Sequence, residues 1–247
     1  MKLSEINIRE KEFHNKLHEG DKFRKENIFY KAIFNLYQDF YKYIDENSKN
    51  KKILDYGCGI GSITEQIAKK NPKNIIGIDI SDVSIKKAIE RSKQLNLDID
   101  YRVENCEKSS LESDSFDLIY GTGILHHLNL KISSTEINRL LKKNGQMVFM
   151  EPLGTNPIIN LYRKFTPNSR SKDEHPLVKK DFEFLNNLYG SVSVKYYGFF
   201  TLIFFPFYRS PDKSTIFKFL TFIDQLIFKI KFLRFLAWSV LIIAKKN

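Results

Sequence analysis

One alternation constrains the fold of this chain more than any other feature. Between residues 52 and 151, short apolar runs recur, each closing on a polar residue or a glycine. Lys52 to Tyr56, Asn74 to Asp79, Ile99 to Val103, Ser115 to Tyr120 and Gln146 to Met150 read as five strands. Helical patterns lie between most of them. One runs from about Ser62 to Lys70, and a second is N-capped by Ser81 and reaches about Leu95. A third lies around Ser134 to Leu141 and closes on the turn signal Asn144-Gly145. Strands alternating with helices imply right-handed crossovers, hence an α/β fold with a mostly parallel sheet and helices on both faces. Val192 to Tyr197 and Trp238 to Ala244 read as two further strands, so seven are predicted.

Ligands of such sheets bind at the carboxyl ends of the strands. That edge collects Asp55 to Gly61, Asp79, Asn105, Gly121 and Glu151. The first turn is Asp55-Tyr56-Gly57-Cys58-Gly59-Ile60-Gly61, whose glycines permit a sharp turn and a close approach to a ligand. A dinucleotide fingerprint needs a glycine where Ser62 stands. A carboxylate at Asp55 would repel a pyrophosphate and suits a cationic amino group. Asp79, ending the second strand, can accept both hydroxyls of a ribose. A nucleoside with an amino-acid tail meets both conditions.

The turn at residues 55–61, the acidic Asp79, Ser115 to Tyr120 and Ile124-Leu-His-His-Leu128 together resemble the class I S-adenosylmethionine-dependent methyltransferases. The branch with the quinone-biosynthesis enzymes is the nearest in look, and the resemblance covers about residues 50–152. It implies a Rossmann-like, seven-stranded sheet in a single domain spanning 1–247. Residues 1–50 would form an N-terminal helical cap and 51–152 the cofactor half. Cap insertions would follow the fifth and sixth strands, at 153–190 and 199–237. By the resemblance, Asp55 and the backbone of Gly57, Cys58, Gly59 and Gly61 hold the methionine end of S-adenosylmethionine. Asp79 holds the ribose, Ile80 packs on adenine, and Gly121 lies under the sulfonium. Asn105 stands where the family carries an Asp that accepts the adenine amino group, and Cys106 follows with its N–H toward the ring.

Methyl transfer from a sulfonium needs alignment and desolvation first, and a base only where the acceptor must lose a proton. His126 and His127 are candidates for that base, or else a structural part of their turn. Glu151 either orients the acceptor or is a solvated loop acid. His175, in Glu174-His-Pro-Leu177, joins Tyr162, Arg163 and Arg170 as a candidate acceptor wall. His14 reads as a surface residue of the leading helices. No metal-site spacing is present, and the two cysteines make no disulfide framework.

The net charge of +11 admits nucleic acid, an anionic membrane or an acidic substrate as partner. The lysines are scattered, which fits compositional drift better than a built patch. Aromatic residues reach 14%, and many fall in 199–237. That segment reads as a cap with its own core, an apolar pocket wall, or a face resting on anionic lipid. The expected acceptor is a small or lipid-like metabolite, with O-methylation slightly favoured. An RNA methyltransferase and a non-catalytic cofactor-binding regulator are the alternatives; no flipped-base motif or RNA-binding module supports the former. With no apolar leader at the N-terminus and no spanning segment, the cytoplasm is the expected compartment.

Overall fold

The computed structural model describes residues 3–18, 28–167 and 171–247. Its centre is one seven-stranded sheet: β1 (Lys52–Tyr56), β2 (Asn74–Asp79), β3 (Asp100–Val103), β4 (Phe116–Thr122), β5 (Leu141–Pro152), β6 (Val192–Tyr197) and β7 (Ser239–Lys245). The strand order is β3-β2-β1-β4-β5-β7-β6. β1 to β5 pair in parallel, while β7 runs antiparallel to both β5 and β6. This is the expected Rossmann-like arrangement. Chain direction across the sheet reverses between β1 and β4, which opens a crevice at their carboxyl ends.

Successive strand residues supply opposite layers because side chains alternate across a pleated sheet. On β1, Leu54 and Tyr56 join a core with Ile137 and Leu140 of α5 (Leu130–Leu140) and Leu185 and Tyr189 of α7 (Lys179–Tyr189). Ile53 faces the other way, toward Leu36, Phe40 and Ile44 of α2 (Phe34–Asn47) and Ile67 of α3 (Ser62–Ala68). The predicted cap at Ser81 is present: its hydroxyl accepts the Ser84 N–H at 3.0 Å and starts α4 (Asp82–Gln94). α5 begins four residues before its predicted start, because Asn129 accepts the N–H groups of Lys131 and Ile132.

α1 (Glu5–His18) lies across the crevice and is tied at both sides. Lys11 pairs with Asp82 at 2.7 Å and Asn15 accepts from the Ser81 hydroxyl at 2.6 Å. On the far side, Arg9 makes a bidentate pair with Asp173 at 2.8 and 2.9 Å. After β5 come α6 (Pro157–Phe165) and α7, and after β6 come α8 (Phe200–Ile203) and α9 (Thr215–Ile227). Asp224 of α9 is buried and accepts the N–H groups of Phe199 and Phe200 and the hydroxyl of Thr201, so it caps α8. Apolar residues at helical spacing, Phe217, Leu220, Ile223, Leu226, Ile227, Ile230 and Leu233, run beyond the end of α9. Only Phe217 and Leu220 of that set are buried, while Leu226 and Ile230 are exposed. No helix among the described residues is long and apolar enough to cross a membrane.

Candidate active site

The crevice holds a cavity of about 480 Å³, within the range of small-molecule sites. Gly57, Gly59, Asp79, Ile80, Asn105 and Cys106 line one end of it. The turn after β1 is fixed by the N–H groups of Gly57 and Cys58, both donating to the Ile78 carbonyl at 2.9 Å. Gly59 has φ +52°, and a Cβ built there would meet no atom within 4 Å. The turn therefore presents bare backbone to open space. Asp79 accepts the Gly59 N–H on Oδ2 at 2.9 Å and the Ser81 N–H on Oδ1 at 2.8 Å. Each oxygen keeps a lone pair for a ligand hydroxyl.

Asn105 is 4% exposed; its carbonyl accepts the Glu107 N–H at 2.8 Å and its amide donates to Asn7 at 3.1 Å. Asn7, on α1, also lines the cavity, so the leading helix closes the end at which Asn105 and Cys106 sit. The Cys106 carbonyl accepts from the buried Tyr56 hydroxyl.

Four residues predicted at the cofactor stand off the wall. Asp55 is 3% exposed behind the turn, accepting the Thr64 hydroxyl at 2.6 Å and the Tyr120 hydroxyl at 2.8 Å. Burial pushes its pKa up to about 7 against those two donors. It therefore braces the turn from beneath, and it does not line the cavity. The cavity nonetheless disfavours a pyrophosphate, since Glu10, Asp79, Glu151 and Glu174 line it. Gly61 starts α3, and a Cβ there would fall 2.3 Å from the Tyr101 hydroxyl oxygen. The Cys58 side chain packs with Ile85, Ala88 and Tyr101. Gly121 is enclosed by Phe149, Ile124 and the Tyr56 carbonyl; Thr122 and Gly123 reach the cavity in its place.

Glu151 is 1% exposed, so it is not a solvated loop acid, although it lines the cavity. Its Oε1 accepts the N–H groups of Ile124 and Leu125 at 3.0 and 2.8 Å, and its Oε2 lies 2.8 Å from His126 Nδ1. The carboxylate thus caps the 3-10 turn at Leu125–His127 and orients the imidazole of His126. With Nδ1 donating to Glu151, the basic lone pair of neutral His126 is on Nε2. Both His126 and His127 line the cavity.

His175 does not line it: its side chain is 52% exposed and its Nε2 lies 3.5 Å from Asp181. Its backbone N–H donates to the His126 carbonyl at 2.6 Å, which brings the neighbouring Glu174 to the cavity instead. Tyr162 and Arg163 line the cavity, and Arg170 lies outside the described residues. His14 is half-buried, 27% exposed, and reaches the cavity beside His127, ring centroids 5.1 Å apart. Glu10 is 5% exposed; burial opposes its ionisation, but the facing His127, His14 and Ser171 hold its carboxyl well below the usual range. Burial pushes His127 below an ordinary imidazole, against the pull of Glu10. Asn7 and Glu10 escaped the sequence reading because the Ser4 cap, which accepts the Asn7 N–H, marks where α1 begins and not which sheet edge it crosses.

The other end of the cavity is largely apolar, with Tyr162 and Arg163 of α6 beside it. Phe29, Tyr30, Ile33, Met150, Ile159 and Trp238 wall it, contributed by the segment before α2, by β5, by α6 and by the entry to β7. One crevice thus joins a polar end to a largely apolar one.

Residues 47–193 match the family model described as a methyltransferase domain. The chain belongs to this family. Among curated relatives, the chain is 36% identical over 115 residues to a ubiquinone biosynthesis O-methyltransferase of Pelagibacter ubique, covering 46% of this chain and 47% of the relative. It is 35% identical over 81 residues to phosphoethanolamine N-methyltransferase 1 of Arabidopsis thaliana, covering 33% of this chain and 16% of that one. The chain spans about half the length of the curated O-methyltransferase it matches. The structure is similar to the geranyl diphosphate C-methyltransferase of Streptomyces coelicolor A3(2), with a TM-score of 0.68 over all of both chains at 12% identity. That likeness establishes the fold.

The polar end of the cavity fits S-adenosylmethionine. A bare Gly59 backbone, a paired-oxygen acceptor at Asp79 and an acidic lining suit a nucleoside with a cationic tail.

Proposed function

We propose that this methyltransferase moves a methyl group from S-adenosylmethionine to the oxygen of a small, apolar metabolite. The observation that carries this reading is the joining of the Gly59–Asp79 end to the aromatic chamber in one crevice. In the proposed assignment, Gly57 and Gly59 contact the cofactor through their backbones and Asp79 takes the ribose. Ile80, Asn105, Cys106 and Asn7 surround the base, and Asp55 acts through Thr64 and Tyr120. The bound cofactor supplies an electrophilic methyl group with a neutral thioether as leaving group. The chain supplies alignment, exclusion of water and removal of the acceptor proton. His126 Nε2 is the proposed base, held in that tautomer by Glu151. His127 lines the acceptor side.

An acceptor that partitions into lipid also accounts for the outer face of the C-terminal insertion. Ile216, Phe219, Phe222 and Leu226 form one exposed face of α9, 41–61% exposed. Phe232 and Phe235 follow at 74% and 47%. Lys218, Lys229 and Lys231 are exposed beside them. Aromatic side chains rimmed by lysines, on a chain of net charge +11, suit the interface of an anionic bilayer.

The test is methyl transfer from radiolabelled S-adenosylmethionine to a panel of lipophilic phenols, lipophilic amines and RNA. Label on a phenol, lost in His126→Ala, is expected. Label on RNA alone, or none on any acceptor with cofactor bound, would replace this reading with the RNA or regulator alternative. Co-sedimentation with phosphatidylglycerol vesicles, weakened in Phe219→Ser/Phe222→Ser, tests the lipid-facing surface; equal sedimentation of both proteins would remove it.

A further inference from the structure

A cluster of side chains at the cavity mouth has no part in the cofactor assignment. Glu10 and His14 are four residues apart on α1 and so share one helix face. The 3-10 turn after β4 brings His127 up to that face. His127 Nδ1 lies 3.0 Å from Glu10 Oε2, and His14 Nε2 lies 3.6 Å from the same oxygen. The Glu10 oxygen and the His127 nitrogen are both buried, and neither makes a hydrogen bond. At 3.0 Å the two form an ion pair only when the imidazole carries a proton aimed at the oxygen, whereas a cation between them satisfies both lone pairs without one.

A divalent transition metal takes imidazole nitrogen and carboxylate oxygen at about 2.0–2.2 Å, which sets donors in a tetrahedral site about 3.3–3.6 Å apart. The two distances to Glu10 Oε2 bracket that spacing closely. The other Glu10 oxygen accepts from the Ser171 hydroxyl, an outer contact that orients a ligating carboxylate. Glu174 and His126 also lie near His127, with donor atoms of that trio within 4.8 Å of one another.

We propose that Glu10, His14 and His127 bind a divalent transition-metal cation at the acceptor side of the cavity. Two imidazoles and one carboxylate favour zinc, cobalt, manganese or iron over calcium or magnesium. A position remains open toward the cavity, where the cation can hold an acceptor oxygen. That use rests on the methyl-transfer reading; the binding does not.

The test needs no turnover. Untagged, chelator-stripped protein is titrated with cobalt(II), followed by visible absorption, and with zinc(II) by calorimetry. One equivalent bound at micromolar or tighter affinity is expected, with the visible bands of a low-coordinate cobalt site. His14→Ala should weaken binding at least tenfold while leaving the far-ultraviolet circular dichroism intact. His127→Asn should do the same, and His175→Ala, outside the cluster, should bind as the parent does. No saturable binding below about 100 µM, equal binding by His14→Ala and the parent, or loss of binding in His175→Ala would each overturn the proposal. Methyl transfer by a protein that binds no metal would overturn it without touching the catalytic reading.

Discussion

Replacing Gly59 by alanine separates cofactor binding from folding. Gly59 sits at φ +52°, and an added Cβ meets nothing within 4 Å. Folding therefore loses only the left-handed backbone term, roughly 1–2 kcal/mol. For a chain of this size that is a fall in Tm of about 2–8 °C. The space the methyl enters is the space assigned to the cofactor. Forcing a methylene-sized group into a packed contact costs about 1–3 kcal/mol, or roughly a 5- to 150-fold loss of affinity. Gly190→Ala is the control. Its φ is +73° and it ends α7, where an added Cβ meets the Asn247 side chain at 2.9 Å and is not on the cavity wall. It should lose similar thermal stability and bind cofactor normally. Calorimetric titration with S-adenosylhomocysteine, paired with thermal melts, reads both quantities. A Gly59→Ala protein that binds as tightly as the parent refutes the placement of the cofactor against this turn.

Glu151→Ala leaves the N–H groups of Ile124 and Leu125 without their buried acceptor, so unfolding by urea should show a loss of roughly 2–4 kcal/mol. The same variant frees the His126 ring, so the pH profile of turnover should shift, whereas a purely structural role would lower activity evenly across pH. For Asp55, the folded pKa of about 7 exceeds the unfolded value. Between about pH 4 and pH 7 the folded chain keeps a proton that the unfolded chain has lost, so this group's contribution falls as pH rises through that window. Asp55→Asn should flatten that decline, raising Tm relative to the parent more at pH 8 than at pH 5.

The cofactor half was legible in sequence because local rules carry it. Five strand runs with turn chemistry at their ends place Gly57, Gly59, Asp79, Ile80, Asn105 and Cys106 on one edge, and the cavity gathers all six. What sequence spacing could not separate was wall from support. Asp55, Gly61 and Gly121 occupy the same edge, yet Thr64 and Tyr120, then Tyr101, then Phe149 take up the space around each. Apart from Thr64, nine residues from Asp55, those neighbours are distant along the chain, so no local pattern reveals them. The acceptor side was harder still. Glu10 and His14 reach His127 across more than a hundred residues, and a helix laid over a crevice leaves no periodicity that names its target. His175 misled because its motif does adjoin the site, but through its backbone N–H and through Glu174 rather than through its imidazole.

The central claim is that the β1–β2 edge binds a nucleoside cofactor through Asp79. Calorimetric titration of S-adenosylhomocysteine into the parent protein and into Asp79→Ala tests it most directly. The account predicts one site in the parent and a dissociation constant at least tenfold higher in the variant, a loss of about 1.4 kcal/mol or more. Absence of binding in the parent, or equal binding in the two proteins, would contradict it.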